Sequence, residues 1–384
     1  MSTTQTQFKN SEAGLIPQDW EVKRIGDFLK FFSGKAHEQH ISPAGRYVVV
    51  NSKFISSDGR VRKYSTKNFL SARIGDVLMV MSDLPNGRAL AKCFLVDHND
   101  FYAVNQRVCI LRTRNDDPRY LRYVLNRNPY FMAFDDGVQQ THLLNDPIKN
   151  CPVVLPKFNE QLAIADVLED SDSLIAALER LIAKKQWIKQ GMMQQLLSGK
   201  TRLPGFSANW RTIVLGDVLK VRHGRNQQGV EHAAGQYPIL ATGGQIGRTN
   251  TPLYSRPSVL IGRKGTIDRP QYRDEPFWTV DTLFYTEIAD SMVPKFLYYQ
   301  FLMVDWRSKN EASGVPSLNA RAIENVQVRV PEREEQQAIT DVLSDADAEI
   351  QSLRRRLTKA KSLKHGMMQE LLTGRTRLPT EAAA

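Results

Sequence analysis

Four turns of this chain set arginine or lysine beside amide and hydroxyl side chains: Ser57–Lys63, Asn86–Arg88, His223–Gln228 and Gly262–Thr266. An arginine guanidinium can make two parallel hydrogen bonds to guanine, and an asparagine or glutamine amide two to adenine, in the DNA major groove. Side chains of this kind on surface turns suit the reading of base edges. On that chemistry the first half offers Lys35, Arg60, Arg62, Lys63, Asn86, Arg88, Gln139, Gln140 and His142. The second half offers Arg225, Gln227, Gln228, Gln245, Arg248, Arg263, Lys264, Arg269, Ser317 and Asn319. The alternative for any one of these turns is a solvated loop tip, since loops are ordinarily polar.

Reactive constellations are harder to find. Gly199-Lys200-Thr201 resembles the end of a phosphate loop, but Gln194 stands where that loop needs a glycine, and the segment closes a helix instead of opening one. Gly243-Gly244-Gln245-Ile246-Gly247 lacks the spacing of a dinucleotide loop and reads as a turn after a strand at Pro238–Ala241. Asn128-Pro129-Tyr130-Phe131 resembles the base-flipping loop of amino-methyltransferases without its second proline, and reads as a helix end with aromatics turned inward. The seven histidines form no metal-ligand spacing. Asp166, Asp170 and Asp172, echoed by Asp341, Asp345 and Asp347, fit the acid preference of helix starts better than a nuclease site. The sequence argues against catalysis in this chain and predicts no resident cofactor or metal.

The charge balance supports a polyanionic partner. The 384 residues carry a formal charge of +11. Residues 1–155 contribute +6 and 203–330 contribute +4, whereas 156–202 carry +1 and 331–384 are neutral. The surplus therefore lies in two segments expected to be globular, which are the better candidates to meet phosphate. The polar start Met1–Gln7 is not a secretory signal, and the densest apolar run, Val77–Met81, is too short to span a bilayer. Cys93, Cys109 and Cys151 show no CxxC spacing and fit a reducing cytosol. A cytoplasmic protein is expected.

An internal repeat organises the chain. Val153–Pro204 aligns without a gap on Val328–Pro379 at an offset of 175, with 27 of 52 positions identical. The densest match is Gly191–Pro204 with Gly366–Pro379. A weaker echo at an offset of 190 joins Trp20 and Ile25-Gly26-Asp27 to Trp210 and Leu215-Gly216-Asp217. The first half therefore carries 15 more residues between the shared parts.

The shared segments read as long helices that start after Pro156 and Pro331 and stop at Gly199 and Gly374. Apolar residues recur at Ile164, Val167/Leu168, Leu174/Ile175, Leu178, Leu181/Ile182, Ile188 and Met192. In the second copy they recur at Ile339, Val342/Leu343, Ala346, Ile350, Leu353, Leu357, Ala360, Leu363 and Met367. The mean step of 3.5 residues is that of a left-handed coiled coil. A rod of about 42 residues at about 1.5 Å per residue is roughly 60 Å long. Leaving either stripe wet would forgo roughly 1.5–3 kcal/mol for each large side chain, so the two stripes are expected to pair. The segments between them mix short β-rich runs with short helices at Pro118–Asn126 and Val293–Met303.

These features resemble the specificity subunit of type I restriction–modification systems. The resemblance rests on the paired Gly-Met-Met-Gln-x-Leu-Leu-x-Gly-x-Thr-Arg-Leu-Pro stretches, the Glu160-Gln161-x-x-Ile164 and Glu335-Gln336-x-x-Ile339 helix starts, and Leu15–Trp20. It implies an α+β fold with two pseudo-symmetric DNA target recognition domains separated by two helices in an antiparallel coiled coil. Each domain would read half of an asymmetric split target, and the coiled coil would set the gap. Two methyltransferase subunits would bring S-adenosylmethionine, and two motor-nuclease subunits ATP and Mg. Those cofactors belong to the partners, not to this chain.

The expected layout is a flexible tail over 1–14, recognition domains at 15–155 and 201–330, spacer helices at 156–200 and 331–376, and a flexible tail over 377–384. Met192, Met193, Leu196, Leu197, Met367, Met368, Leu371 and Leu372 are candidates either for the methyltransferase interface or for the seam of the helix pair. The second copy stops after Leu378-Pro379, where the first continues into a new domain, so neighbouring termini and a tolerated circular permutation are expected. The alternatives are a stand-alone sequence-specific DNA-binding protein, a self-sufficient DNA methyltransferase and a coiled-coil scaffold with no DNA role.

Overall fold

A computed structural model describes residues 7–84 and 87–379. The chain divides into two compact units. The first is built from residues 1–177 and 357–384, the second from 178–356. Each unit thus combines one globular domain with part of both long helices.

In the first unit an antiparallel sheet runs in the order Lys30–Ser33, Val108–Arg112, Val77–Val80, Cys93–Leu95. Val77 to Val80 is the apolar run seen in the sequence, and all four residues are buried. Successive side chains of a strand point to opposite faces, so both faces must be covered. Val77 and Met79 pack with Tyr120, Leu121 and Leu125 of the helix Pro118–Leu125. Leu78 and Val80 pack with Val48, Val50 and Phe54. That second layer is a sheet in which Tyr47–Val50 pairs in parallel with Tyr102–Val104 and antiparallel with Tyr64–Ser65.

The second unit repeats this plan with other residues. Its antiparallel sheet runs Leu219–Arg222, Leu283–Ile288, Ser258–Gly262, Gln271–Arg273. Val259 and Ile261 pack with Phe296 and Leu297 of the helix Pro294–Met303. Leu260 packs with Leu240 and Phe277 on the other face. There Tyr237–Ala241 pairs in parallel with Trp278–Thr279 and antiparallel with Gly244–Thr249. The first unit adds the short helix Ser52–Ser56, capped by Asn51, and a hairpin of Phe8–Ser11 with Gly14–Pro17. Within the expected tail over 1–14, Phe8–Ser11 pairs in this hairpin, and residues 1–6 lie outside the described residues. The hairpin main chain pairs Lys9 with Ile16, and Ile16 is buried.

The long helices span Phe158–Leu196 and Arg333–Leu371, and the chain leaves them through Gly199 and Gly374 at φ of 70° and 68°. That left-handed backbone favours glycine. The Gln of each repeated Glu-Gln pair roots its helix. The Gln161 carbonyl accepts the Asp117 N–H and its amide donates to the Pro156 carbonyl, and Gln336 does the same with Val293 and Pro331.

The helices pack together, as the apolar stripes imply, but the seam differs in detail. Ile164, Leu168, Leu178 and Ile182 are buried, whereas Leu174, Leu181 and Ile188 are exposed, as is Leu363 in the second helix. Beside Ile188 and Leu363, the lysines turn inward. Lys364 meets Asp172 at 2.5 Å over the Tyr123 ring in the first unit, and Lys189 meets Asp347 at 2.5 Å over Tyr299 in the second. Asp172 and Asp347 also accept the Tyr123 and Tyr299 hydroxyls. These aspartates therefore lie well past the first turn and serve as ion-pair partners, not as dipole caps. Asn128 also differs from expectation. It opens a new helical turn, Pro129–Met132, by accepting the Tyr130 N–H, with Phe131 buried.

Candidate nucleic-acid interface

In an antiparallel sheet, alternate strand ends fall on the same side. In the first unit the last residues of Lys30–Ser33 and Val77–Val80 therefore lie beside the first residues of Val108–Arg112 and Cys93–Leu95. Four connections emerge there: 34–38, 81–84 with 87–92, 105–107 and, paired to them, 139–142. The long helix is rooted beyond the other end of this sheet, through Asp117 and Gln161. The helix root thus leaves the loop end of the sheet clear.

The loop end is closely built. Lys35 donates its N–H to Val104 and Met81 donates to Arg107. Gly34 is required at the crossing, because a Cβ there would lie 1.9 Å from the Asn105 carbonyl oxygen. Asp83 accepts the N–H groups of Leu84, Ala89 and Leu90, closing the loop that presents Arg88. Thr141–His142 pairs with Ser82–Asp83, and the Gln140 amide donates to the Ser82 hydroxyl at 2.8 Å. Lys92 reaches the Ser56 carbonyl and the Asp58 carboxylate, tying the turn that bears Arg60, Arg62 and Lys63 to this end. Arg60 and Arg62 are partly spent on that turn, each donating Nε to a carbonyl three residues back at 2.9 Å.

His37 lies fully buried beneath Lys35. Its Nδ1 faces the Lys35 carbonyl at 2.7 Å, and its Nε2 faces the Phe69 N–H at 3.2 Å. An N–H can only donate, so Nε2 must accept and the ring is neutral with the proton on Nδ1. Burial pushes its pKa below the usual histidine value. Burial also pushes the Cys109 and Cys151 thiols up to about 12, which leaves neither a nucleophile.

The second unit builds the same end. Arg225 donates its N–H to Thr279, as Lys35 does to Val104, and Gly224 would place a Cβ 2.1 Å from the Val280 carbonyl oxygen. Lys264 bridges to Ser317, where Ser82 bridges to His142 in the first unit. The Leu318 N–H donates to Arg263 as that of Leu143 does to Met81. Arg269 is exposed just before the strand Gln271–Arg273.

The fold thus gathers Lys35, Arg88, Gln139, Gln140 and His142 in one unit, and Arg225, Arg263, Lys264, Arg269 and Ser317 in the other, at equivalent sheet ends. Gln227 and Gln228 follow Arg225 on its loop, where the Asn226 amide donates to the Gln228 side chain. Other nominated side chains are already engaged. Arg248 donates to the carbonyls of Gly235 and Gln236, stapling a hairpin, and Gln245 donates to Gly247. Asn319 caps the helix Ala320–Glu324 through its carbonyl and donates its amide to Glu311. Asn86 lies outside the described residues. Sequence reasoning missed Gln106 and Arg107, both exposed at this end, and Asp281, whose carboxylate holds Arg263. The shared offset of Gly34 and Gly224 was the signal that could have located the crossing.

The methionine–leucine pairs lie at the far ends of the helices. Met193, Leu196 and Leu197 are buried in the second unit, with Met192 packed against its core. Leu371 is buried in the first, with Met367, Met368 and Leu372 against its core. Met368 and Leu372 also line a cavity of about 600 Å³ with Leu15, Tyr123, Tyr130 and His365.

Comparison with known proteins defines the class. Residues 17–189 and 207–362 match the type I restriction modification DNA specificity domain, so the chain belongs to that family. It is the DNA specificity subunit of a type I restriction–modification system, a non-catalytic subunit with two target recognition domains. Two Methanocaldococcus jannaschii proteins, the type I restriction enzyme MjaVIII specificity subunit and the putative MjaX specificity subunit, are each 24% identical. The alignments cover 97% of this chain in both cases, and 96% and 97% of those proteins. A crystal structure of the type I S subunit from M. genitalium superposes with a TM-score of 0.68 at 17% identity, covering 92% of this chain and 96% of that one. A chain from a structural study of type I system assembly and conformational transition superposes with a TM-score of 0.58 at 18% identity, covering 94% and 99%. Among the described residues no helix is long and apolar enough to cross a membrane.

Proposed function

We propose that each unit reads one half of a split, asymmetric double-stranded DNA target through the loop end of its four-stranded sheet, and that the helix pair sets the gap between the halves. One observation carries this reading. The two units build that end with the same main-chain hydrogen bonds but fill equivalent places with different side chains: Lys35 and Arg225, His142 and Ser317, and a buried Ser82 where the other unit has an exposed Lys264. A common frame with divergent reading groups is what two different half-sites require.

Chemistry is supplied in trans. Methyltransferase subunits, two per complex, bring S-adenosylmethionine, and two motor-nuclease subunits bring ATP and Mg. Of the methionine–leucine candidates, Met193, Leu196, Leu197 and Leu371 are consumed by the cores of their own units, which leaves the methyltransferase the half-buried Met192, Met367, Met368 and Leu372 to dock on. The partly exposed members, Met368 and Leu372 with their cavity, offer the more accessible apolar surface.

The test is modification mapping of DNA methylated by this chain with its methyltransferase. Charge reversal at Arg88 should degrade recognition of one half-site, and reversal at Arg225 the other. Unchanged methylation in both variants would remove the reading. A tight sequence-specific footprint by the isolated chain would favour a stand-alone DNA-binding protein instead.

A further inference from the structure

At the loop end of the sheet one cross-strand position differs in kind between the units. In the first, Met81 donates its N–H to Arg107, and Met81 is buried. In the second, Arg263 stands in the Met81 place and donates its N–H to Thr282, which stands in the Arg107 place. Each unit thus has one arginine at this crossing, carried on opposite strands.

Arg263 is fixed more firmly than an ordinary surface cation. Its N–H and carbonyl are held by Thr282 and Leu318 on the two flanking segments, at 2.8 and 2.9 Å. Its Nη1 donates to the Asp281 carboxylate at 2.5 Å. The other edge of the guanidinium, Nε with Nη2, has no hydrogen-bond partner among the described residues. The side chain is 30% exposed.

The carboxylate decides what that free edge can take. A phosphate approaching Arg263 would also meet the negative charge of Asp281, which offsets much of the attraction that drives backbone contacts. A neutral pair of acceptors meets no such repulsion and still uses the fork of two parallel donors. Guanine presents such a pair, O6 and N7, in the major groove. The tether also holds the guanidinium in one orientation before DNA arrives, which lowers the entropy lost on contact.

We propose that Arg263, oriented by Asp281, reads a guanine in the half-site of the second unit. Asp281 acts as a positioning residue. The proposal rests on the reading that each unit contacts one half-site through this sheet end.

The experiment uses the full chain assembled with its methyltransferase and a DNA library randomised over the target. Arg263→Lys keeps the charge and loses the fork. It should relax one G·C pair in one half-site by roughly 5- to 150-fold and leave the other half-site intact. Asp281→Asn should weaken discrimination at that same pair and raise binding to non-target DNA, with a steeper salt dependence. Arg107→Lys is tested in parallel on the first unit. If Arg263→Lys lowers methylation of all sequences equally, or leaves every base preference unchanged while Arg107→Lys relaxes one half-site, the assignment of Arg263 is overturned and the half-site reading stands. If neither variant alters any base preference, both fall.

Discussion

Arg377 holds the carboxylate of Glu160, 217 residues earlier, through Nε at 2.5 Å and Nη2 at 2.7 Å. The indole N–H of Trp20 donates to the same carboxylate at 3.0 Å, and Asp19 takes the remaining edge of the guanidinium with two bonds of 2.9 Å. The second unit makes the same clasp. Arg202 grips Glu335 with two bonds of 2.6 Å, and the Trp210 indole donates at 3.2 Å. In each case the tryptophan begins a recognition domain, the glutamate roots the helix that follows that domain, and the arginine ends the other helix. The Thr-Arg-Leu-Pro repeat is therefore a closing device, one per unit. Arg377, the first residue of the expected tail over 377–384, is thereby held in place, and residues 380–384 lie outside the described residues.

Arg377→Ala should weaken the first unit. Glu160 is 4% exposed and would keep only the Trp20 N–H, leaving a buried carboxylate short of its partner. Removing one member of a buried pair costs about 3–5 kcal/mol, and the partial exposure of Arg377 lowers that to roughly 2–3 kcal/mol. Urea denaturation followed by hydrogen exchange should show lost protection around Trp20 with the second unit unchanged. Equal loss in both units would contradict the assignment.

The repeat made the architecture legible, because duplicated Glu-Gln and Thr-Arg-Leu-Pro segments stand out at any distance. Their meaning was not legible, since Arg377 and Glu160 meet only through tertiary folding. The seam shows the same limit. Apolar periodicity selects Ile188 and Leu363, but it cannot register that an aspartate and a tyrosine make Lys189 and Lys364 better inward neighbours. At the loop ends, residue chemistry picked out Arg88, Arg225 and Arg263, because cations on turns are visible in one dimension. It passed over Asp281, since an acid looks out of place among candidate DNA-reading groups until its ion pair with Arg263 is seen. It also selected Arg248 and Asn319, whose hydrogen-bonding groups are engaged within the fold, which one dimension does not show.

Deleting one heptad from both helices, 175–181 and 350–356, tests the spacing role. Both stretches fall in sequence between the ion-pair residues, after Asp172 and before Lys189 in one helix, after Asp347 and before Lys364 in the other. The clasps and lysine nodes keep all their members. Seven residues correspond to about 10 Å of helix, or about three base pairs at about 3.4 Å each. Mapping of methylated sites should return both half-sites unchanged with a shorter gap. Full activity on the original gap would refute the ruler.

His37 should make the first unit sensitive to mild acid. Burial is the largest influence on its pKa and lowers it, with His40 acting in the same direction and Glu38 and the Lys35 carbonyl opposing. The unfolded chain therefore takes up the proton at a higher pH than the folded one. The stabilisation is complete above about 6.5, the ordinary histidine value, and is lost as pH falls through the lowered folded value. Protonation would also set a second N–H against that of Phe69, beside Lys35 at the candidate interface. Thermal unfolding should show a drop between pH 7 and pH 5.5 that His37→Gln largely abolishes. DNA binding should fall with it, although added positive charge alone would strengthen binding. An identical pH profile in the variant would remove His37 from this role.

The clasp also makes a circular permutation feasible. Arg377 touches Asp19, and Gly374 packs so closely on Pro17 that a Cβ there would lie 2.3 Å from its Cγ. The segment after the second helix thus meets the start of the first recognition domain. The segment after the first helix meets the start of the second in the same way, with Gly199 on Trp210, but there the chain runs on without a break. Joining the present ends and opening the chain before Ser207 would exchange the two situations. Arg202 would then close on Glu335 without covalent continuity to Trp210, as Arg377 now does with Trp20. The permuted chain should fold, bind its methyltransferase and direct methylation to the unchanged target, as measured by unfolding temperature and site mapping. A chain that failed to fold or to assemble would show that the clasp depends on the covalent link, and that the two closures are not equivalent.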